Sequence, residues 1–440
     1  MNYNKDFIPA IEVINEFNKK GTIPFNIMIS RNNEIFYSYK INITNDIKES
    51  YYVVKKLILT LMWMVGGNHL FLNGNKELFN YIKKQENEDE ELIASIDSLN
   101  KIFSDKFEIS YEDDESKFIC KDKIIELAGN FKGNRIGFDA GGSDRKVSAV
   151  IDGKVVYSEE VLWTPKVEKD YHYHLNGILD SFNKAASYLP SVDAIGISTA
   201  GIVEDNKLLQ QALFFALSDE DKDKYAKNIY IDIVNKYYPN AKMIVANDGD
   251  VSAIAGSMLL KEDNILGIAM GTSEASGYCY NQNKISCWFN ELGKVPIDYN
   301  KNAIKHYNVK TVGSGSNYLS QNGIISLAKM IGYEFEGSLA MQLKSIQNEA
   351  NSNNEKTLKA YEDMGEYLGS AIALYALFYK INKVLLLGRV MSGNGGTVLI
   401  NKANEYLKKY SHCQNISIVT PDENFKRLGQ SYIAASLPKI

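Results

Sequence analysis

The stretch IGFDAGGSDRKVSAVIDGKVV, from Ile136 to Val156, carries most of the information about the fold. It reads as a strand, an interruption, a second strand and a turn at Asp152-Gly153, with apolar residues resuming beyond it. Asp-Gly between alternating apolar residues is the turn of a two-residue β-hairpin. The earlier interruption, with Asp139, two glycines and Ser143, needs another explanation, because a plain hairpin requires no acid or glycine pair in mid-course.

The same pattern recurs from Ile265, where a strand, a glycine turn, a second strand and a polar turn follow one another. This near-repeat indicates two similar half-domains, each with a glycine-containing hairpin. Glycine removes the side chain where the backbone bends, so backbone N–H groups can face a ligand, and such a nest suits the anionic oxygens of a phosphate. A β-bulge without a ligand is the alternative at either hairpin. The candidate phosphate-binding residues are Gly141, Gly142 and Ser143 in the first copy and Gly271, Thr272 and Ser273 in the second.

An acid stands beside the first glycine turn. Asp139 ends the first strand next to Gly141, and a carboxylate near a phosphate is unfavourable unless a cation lies between them. Asp139 therefore indicates Mg²⁺, bound through water. An Asx turn without metal is the alternative for this residue.

A second acidic cluster lies in ANDGDVSA, between a strand and an alanine-rich helix. The carboxyl end of a strand is where α/β proteins place ligands. Asp250 is interpreted as the helix N-cap. That leaves Asp248 as the candidate base, which would accept the proton of an attacking hydroxyl.

A late loop, LLLGRVMSGNGG, is richer in glycine than a connection between a strand and a helix requires. It can pass flat against a planar ring or a phosphate. It is neither a GxGxxG turn opening a βαβ unit nor a GxxxxGK[ST] loop, which argues against a dinucleotide site and a P-loop. Its glycines are Gly388, Gly393, Gly395 and Gly396.

Length and composition narrow the class of protein. A chain of 440 residues predicts two or three domains. The formal net charge of −5 gives no reason to expect nucleic acid as a partner. The four cysteines have no CxxC spacing, which is typical of reduced thiols in the cytoplasm. The longest apolar run, LILTLMWMVGG, is too short to span a bilayer, so we expect a cytoplasmic protein with no membrane partner.

Residues 1–132 read as a separate α+β unit. The pattern predicts a strand hairpin around Arg31-Asn32-Asn33, a long buried helix that stops at Gly66-Gly67, and a second helix over KELFNYIKK. The acidic run from Gln85 to Glu91 is expected to be a solvated loop or helix end. A polar linker, GNFKGN, then predicts a domain boundary before strands and helices begin to alternate.

Taken in order, the motifs resemble those of the actin-like ATPase superfamily of sugar kinases, heat-shock chaperones and actin. The matching stretches are IGFDAGGSDRKVSAVIDG, AIGISTAGIV, VANDGDVSA, LGIAMGTSEASGY, NELGKVP and LLLGRVMSGNGG. Within the superfamily the chain resembles the ROK (repressor, open reading frame, kinase) group and bacterial glucokinases, over roughly residues 135–440. The resemblance implies an α/β fold with two ribonuclease-H-like halves, residues 133–255 and 256–440, and a cleft that holds ATP and Mg²⁺.

The resemblance also implies roles for single residues. Asp248 falls at the catalytic base of the family, Asn247 beside it at a sugar contact, and Glu291 at the sugar-binding Glu of the ExGH motif. The motif here is ELGK, so Lys294 replaces the His that contacts sugar and binds zinc. The cysteines of the family's zinc loop are missing as well, and we therefore expect no structural zinc. Because these sugar contacts are missing, the identity of the sugar or sugar derivative stays open. Dimers are common in the group that the chain resembles, so the resemblance predicts a homodimer.

The function expected from these motifs is an ATP-dependent kinase acting on a hydroxyl of a sugar or sugar-like small molecule. A non-catalytic sensor of sugar or nucleotide and an ATPase acting on a protein partner are the alternatives. The first 130 residues or so have no counterpart in ordinary ROK kinases. They are neither basic nor patterned as a helix–turn–helix, so they do not read as the winged helix of ROK repressors.

Overall fold

A computed structural model describes residues 6–32, 34–334, 336–421 and 423–440 of the chain. The chain divides into two compact units, each assembled from separate stretches of sequence. Unit 1 contains the described residues up to Lys123 together with Ile268–Ser276 and Trp288–Thr420. Unit 2 contains Ile124–Gly267, Gly277–Cys287 and Pro421–Ile440. The division into segments 1–132, 133–255 and 256–440 remains a prediction.

The N-terminal part of unit 1 is a layer of helices on a four-stranded sheet. Its elements are α1 (Ala10–Lys20), β1 (Ile23–Arg31), β2 (Ile35–Ile43), α2 (Ile47–Met64), β3 (His69–Asn73), α3 (Lys76–Gln85), α4 (Glu90–Phe103) and β4 (Glu108–Tyr111). The sheet order is β2-β1-β3-β4, with β1 antiparallel to both neighbours and β3 parallel to β4. The predicted hairpin and both predicted helices are confirmed, while Asn33 of the predicted turn lies outside the described residues.

Helix α2 lies in the core of this part, which explains the apolar run in its second half. Almost every side chain from Val53 to Met64 is buried, and Asp46 caps the first turn by accepting from the amides of Lys48 and Glu49. The expectation that the acidic run is solvated is wrong at Glu91, which is buried because α2 supplies two lysines to pair with it.

Unit 2 is built around a five-stranded mixed sheet. Strands β6, β9 and β12 run parallel, and β7 and β8 continue the sheet as an antiparallel meander, in the order β12-β9-β6-β7-β8. The predicted strands around both turns of the first hairpin are confirmed. The elements of this region are β5 (Ile124–Glu126), β6 (Asn134–Ala140), β7 (Asp144–Ile151), β8 (Lys154–Leu162), α5 (Tyr171–Ala186), β9 (Ala194–Thr199), β10 (Ile202–Glu204), β11 (Lys207–Gln210), α6 (Asp219–Asp221), α7 (Ile229–Tyr237), β12 (Lys242–Asn247) and α8 (Asp248–Leu260).

The second large sheet has six strands in the order β17-β16-β13-β14-β15-β5. Strands β13 and β14 form the second predicted hairpin, and the chain passes from one unit to the other within them. The remaining elements are β13 (Ile265–Met270), β14 (Glu274–Asn281), β15 (Lys284–Ser286), α9 (Gly315–Tyr318), α10 (Gln321–Met330), α11 (Leu339–Asn351), α12 (Glu355–Tyr375), β16 (Lys383–Leu387), α13 (Asn394–Leu407), β17 (Ser417–Val419) and α14 (Glu423–Ala435). The expected α/β class is confirmed. Within the described ranges, no helix is long and apolar enough to cross a membrane.

Candidate active site

The carboxyl ends of three parallel strands in unit 2 bring polar residues to one edge of the sheet. Asp139 of β6 lies directly opposite Ser198 of β9, and Asn247 at the end of β12 lies opposite Thr199. Asp248 follows Asn247 as the first residue of α8. This edge is where an open α/β sheet binds ligands, and the sequence places two carboxylates there.

Asp139 is a buried acid with defined partners. Its side chain is 5% exposed and accepts a hydrogen bond of 2.9 Å from the Ser198 hydroxyl. With its amide nitrogen turned toward Asp139, Gln430 donates to both carboxylate oxygens at 3.1 and 3.2 Å and accepts from Ser252 at 2.6 Å. Burial raises the pKa of Asp139 to about 7, the Ser198 hydrogen bond opposes that rise, and the charge of Asp248 adds to it.

Asp248 stands at the N-terminus of α8, partly exposed, where the helix dipole favours a negative charge. The cap of this helix is Asn247, whose side-chain oxygen accepts from the Gly249 amide at 2.8 Å and whose nitrogen donates to the Gly201 carbonyl at 2.7 Å. The interpretation of Asp250 as the N-cap is wrong. That residue lies within the helix, is buried, and accepts from the backbone amide of Tyr278 at 3.1 Å.

The first glycine hairpin joins β6 to β7 and leaves its tip open to solvent. The Gly141 amide donates to the Asp144 carbonyl at 3.0 Å, and Gly142 and Ser143 at the tip are exposed. A Cβ atom at Gly141 would lie 2.8 Å from the Asp144 carbonyl oxygen, so this turn excludes a side chain. The indole of Trp163 supports the turn by donating to the Gly141 carbonyl at 2.8 Å.

The second glycine hairpin, in unit 1, has a turn of the same length that is closed by a different backbone hydrogen bond. The Gly271 amide donates to the Ser273 carbonyl at 3.1 Å, and Thr272 and Ser273 are exposed. The Gly271 carbonyl is held by the amide of Gln321 at 2.8 Å. Two exposed turns are therefore present, one in each unit; the Ser143 hydroxyl of the first donates to the Asp144 carboxylate at 3.0 Å.

The late glycines divide into two pairs. Gly388, with φ 102°, packs so closely on the second hairpin that a Cβ atom would lie 2.3 Å from the Met270 carbonyl oxygen. Gly388 and Gly393 are exposed, whereas Gly395 and Gly396 are buried. A Cβ atom at Gly395 would lie 2.3 Å from the ring of Tyr361. Packing inside unit 1 thus accounts for part of the glycine content that suggested a ligand.

Glu291 and Lys294 lie together in a short helical turn of unit 1. The Lys294 ammonium is 3.1 Å from Glu291 and 4.3 Å from the centre of the Trp63 ring. Glu291 is partly exposed and Lys294 is buried. Close packing fixes the turn, because a Cβ atom at the intervening Gly293 would lie 2.3 Å from the Ser316 hydroxyl.

The structure therefore groups the predicted residues by unit. Unit 2 brings together Asp139, the first hairpin, Asn247 and Asp248; unit 1 holds the second hairpin, the late glycines, Glu291 and Lys294. The sequence interpretation missed Ser198, Gln430 and Trp63. Parallel pairing of β6 with β9 is the signal that would have found Ser198, whereas nothing in the sequence pattern links the other two residues to the site.

Comparisons with known proteins identify the family and the fold. The sequence model described as "ROK family" matches residues 135–427. A ROK family transcriptional regulator, a homologue of the Escherichia coli MLC protein, superposes with a TM-score of 0.56 at 18% identity, over 70% of this chain and 79% of its own. A ROK hexokinase from Thermus thermophilus gives a TM-score of 0.52 at 13% identity, over 69% and 96%.

A ROK family glucokinase from Streptomyces griseus, in complex with glucose and AMPPNP, gives a TM-score of 0.50 at 17% identity, over 69% of this chain and 98% of its own. At these identities the likeness shows the fold alone, which is the actin-like ATPase fold of ROK kinases. No curated protein matches the chain in sequence.

Proposed function

The chain belongs to the ROK family, and on that premise we propose that it is an ATP-dependent kinase phosphorylating a hydroxyl of a sugar or sugar-like small molecule. The observation that carries the proposal is the pair of carboxylates, Asp139 and Asp248, at the carboxyl ends of β6 and β12, two parallel strands that flank β9. The glucokinase with a similar fold binds glucose and AMPPNP, which supports a sugar and ATP as the substrates here.

Asp248 is the proposed catalytic base. An alcohol is far too weak an acid to ionise at neutral pH, so the base must orient the hydroxyl and take its proton as the new bond forms. Partial exposure gives an incoming hydroxyl access to Asp248. The Asn247 side chain, fixed between the Gly201 carbonyl and the Gly249 amide, is proposed to contact the same acceptor.

Asp139 is proposed to face Mg²⁺ through water. Its buried carboxyl has a pKa raised to about 7 by burial, and a neighbouring cation would stabilise its charged form. Mg²⁺, when bound, supplies positive charge that stabilises the phosphoryl group in transfer. Among the described residues no group of three or more His, Cys, Asp or Glu side chains could hold a metal ion by itself.

The ATP phosphates are proposed to contact the two exposed glycine turns, through Gly141, Gly142 and Ser143 in unit 2 and Gly271, Thr272 and Ser273 in unit 1. Gly388, which packs on the second turn, is proposed to lie beside the nucleoside with the other late glycines, Gly393, Gly395 and Gly396. Glu291 and Lys294 are proposed to bind acceptor hydroxyls, because a carboxylate accepts and an ammonium donates hydrogen bonds.

Replacing the base tests the proposal directly. Asp248→Asn keeps the shape of the side chain but cannot take a proton, so the phosphorylation rate should fall about 10²- to 10⁴-fold while ATP binding persists. Product formation over a panel of sugars and polyols measures the rate, and calorimetry with an ATP analogue measures binding.

Asp250→Asn is the matched control on the same helix. Asp250 is buried and accepts from the Tyr278 amide, so this change should lower stability and leave the rate within a few-fold of the wild type. Unchanged turnover in Asp248→Asn, or an equal loss in both variants, would rule out Asp248 as the base.

A non-catalytic sugar or nucleotide sensor is the second candidate, because a transcriptional regulator is among the similar structures. For a sensor, the wild-type protein would bind an ATP analogue or a sugar and be stabilised by it, yet form no phosphorylated product with any sugar. An ATPase acting on a protein partner would instead hydrolyse ATP without a sugar.

A further inference from the structure

The N-terminal segment, residues 6–123, contacts the part of unit 1 that carries Glu291 and Lys294. This part, residues 289–314, is called the acceptor loop here. Backbone and side chains of the N-terminal segment bind both ends of the acceptor loop, and all of these contacts lie within unit 1.

The first contact joins the loop to the C-terminal end of α2. The backbone amides of Phe289, Asn290 and Glu291 donate to the carbonyls of residues 65, 64 and 63 at 3.2, 3.0 and 3.0 Å. The last carbonyls of a helix have no partner within the helix and need one from outside. The loop supplies it, so the position of Glu291 is set by the end of α2.

Arg31 strengthens the same junction from β1. Its guanidinium is buried, donates to the carbonyls of Val65 and Gly66, and lies 4.6 Å from the centre of the Phe289 ring. Gly66 has φ 76°, and a Cβ atom there would lie 2.5 Å from the Phe289 ring. With the Phe289 ring in this position, residue 66 must therefore be a glycine.

Trp63 contacts the proposed acceptor-binding pair itself. The Lys294 ammonium lies 4.3 Å from the Trp63 ring centre and 3.1 Å from Glu291. The indole N–H donates to Ser95 of α4 at 3.3 Å, which fixes the ring. Trp63 is fully buried and so out of reach of a ligand in solvent; its attraction for the cation orients Lys294.

The far end of the loop is held by a buried ion pair. Lys56 of α2 donates to the Val312 carbonyl at 2.8 Å, and Glu91 of α4 accepts from the Val312 amide at 2.7 Å. Lys56 and Glu91 are 2.9 Å apart. The amide of Tyr299 also donates to the Ile8 carbonyl at 2.8 Å, so the loop is bound in its middle as well.

We propose that the N-terminal segment is a built-in part of the acceptor site, in which Trp63 and Arg31 are positioning residues that hold Glu291 and Lys294 in their binding geometry. The inference rests on the proposed kinase function, because that proposal makes Glu291 and Lys294 the acceptor-binding residues. Its consequence is selective: losing Trp63 or Arg31 weakens acceptor binding and leaves ATP binding intact.

Kinetics of the full-length chain test this selectivity. Trp63→Leu should raise the acceptor KM about tenfold, the size of a lost desolvated cation–π contact, and leave the ATP KM within about twofold. Trp63→Phe keeps an aromatic face and should recover much of the loss. Phe25→Leu is the matched control, because Phe25 is equally buried in β1 of the same segment; it should lower the melting temperature with both KM values unchanged.

An unchanged acceptor KM in Trp63→Leu, or an equal rise in Phe25→Leu, would overturn the positioning role. Hydrogen exchange in Arg31→Lys gives a readout that needs no activity and serves if Trp63→Leu fails to fold. The amides of residues 289–291 should exchange about tenfold faster, and those of β9 should not change. Equal exchange in variant and wild type would also overturn the inference.

Wild-type turnover separates the two proposals. If the wild type phosphorylates an acceptor and Trp63→Leu leaves its KM unchanged, the positioning role fails and the kinase function stands. If the wild type phosphorylates nothing, the kinase function fails, and the exchange rates at residues 289–291 alone decide whether the N-terminal segment holds the loop.

Discussion

The two glycine hairpins have three-residue turns of equal length but differ in one of their acidic positions. In the first hairpin a buried acid, Asp139, stands two residues before Gly141; the corresponding residue of the second is Ala269. The first residue of the returning strand is acidic in both, Asp144 in β7 and Glu274 in β14.

These two returning acids have opposite surroundings. Asp144 is 2.9 Å from Lys146 near the surface. Glu274 is buried beside Tyr375 and packs on Gly315, where a Cβ atom would lie 2.3 Å from its carboxylate. Both turns are proposed to contact phosphate, whereas the proposed cation-facing acid, Asp139, belongs to the first hairpin, and the second has Ala269 at that position.

Among changes that separate the two hairpins, removing the charge of Asp139 should have the largest effect, a loss of turnover. Asp139→Asn keeps a side chain that can bond Ser198 and Gln430 but offers no charge to a cation, so turnover should fall about 10²- to 10³-fold. Burial of the charged carboxylate costs stability, so the variant should be at least as stable as the wild type at pH 8. Steady-state turnover and chemical denaturation of the same samples measure both effects.

Ala269→Ser is the control at the corresponding position of the second hairpin. It adds a polar group without charge, and turnover should stay within about threefold of the wild type, as for an ordinary small substitution. Equal losses in the two variants would show that the hairpins share the cation-facing role.

Local patterns in the sequence predicted most of the fold and singled out much of the candidate site. Alternation and turn chemistry located both hairpins, and Asp248 became the candidate base because it follows a strand directly. The error at Asp250 has a local cause: a helix start is uncertain by a residue or two, and here the cap is Asn247.

The other errors have a long-range cause. Glu91 was expected in solvent because its partners, Lys55 and Lys56, stand more than 30 positions earlier in the chain. Gln430 and Trp63 reach the site residues only through tertiary packing, and neither periodicity nor motif spacing encodes such a contact.

Replacing Glu274 should have an intermediate effect, which falls on stability rather than on catalysis. Burial raises its pKa from 4.5 to about 8, with the Tyr375 hydroxyl opposing the rise. Between these values the folded chain keeps a proton that the unfolded chain releases, so this group lowers the free energy of unfolding as pH rises. Glu274→Gln should remove that loss, and its gain in stability should grow from pH 5 to pH 8 and level off above.

Denaturant midpoints of the wild type and Glu274→Gln are measured side by side from pH 5 to pH 9. Their difference isolates the contribution of Glu274 to the pH dependence of stability from that of other titrating groups such as Asp139. Curves that stay parallel over the whole range would show that Glu274 does not hold a proton in the folded chain.

Asp144→Asn should have the smallest effect, although it is the same acid-to-amide change at the matching residue of the other hairpin. A surface ion pair such as Asp144–Lys146 contributes about 1 kcal/mol or less. The loss should also shrink in about 1 M salt, where exposed charges are screened within a few ångströms. Chemical denaturation with and without salt measures it. A loss of several kcal/mol, or a loss that salt leaves unchanged, would mean that the position in the hairpin decides how much the acid affects stability. A small loss that salt reduces would mean that burial decides it, because Asp144 is near the surface and Glu274 is buried.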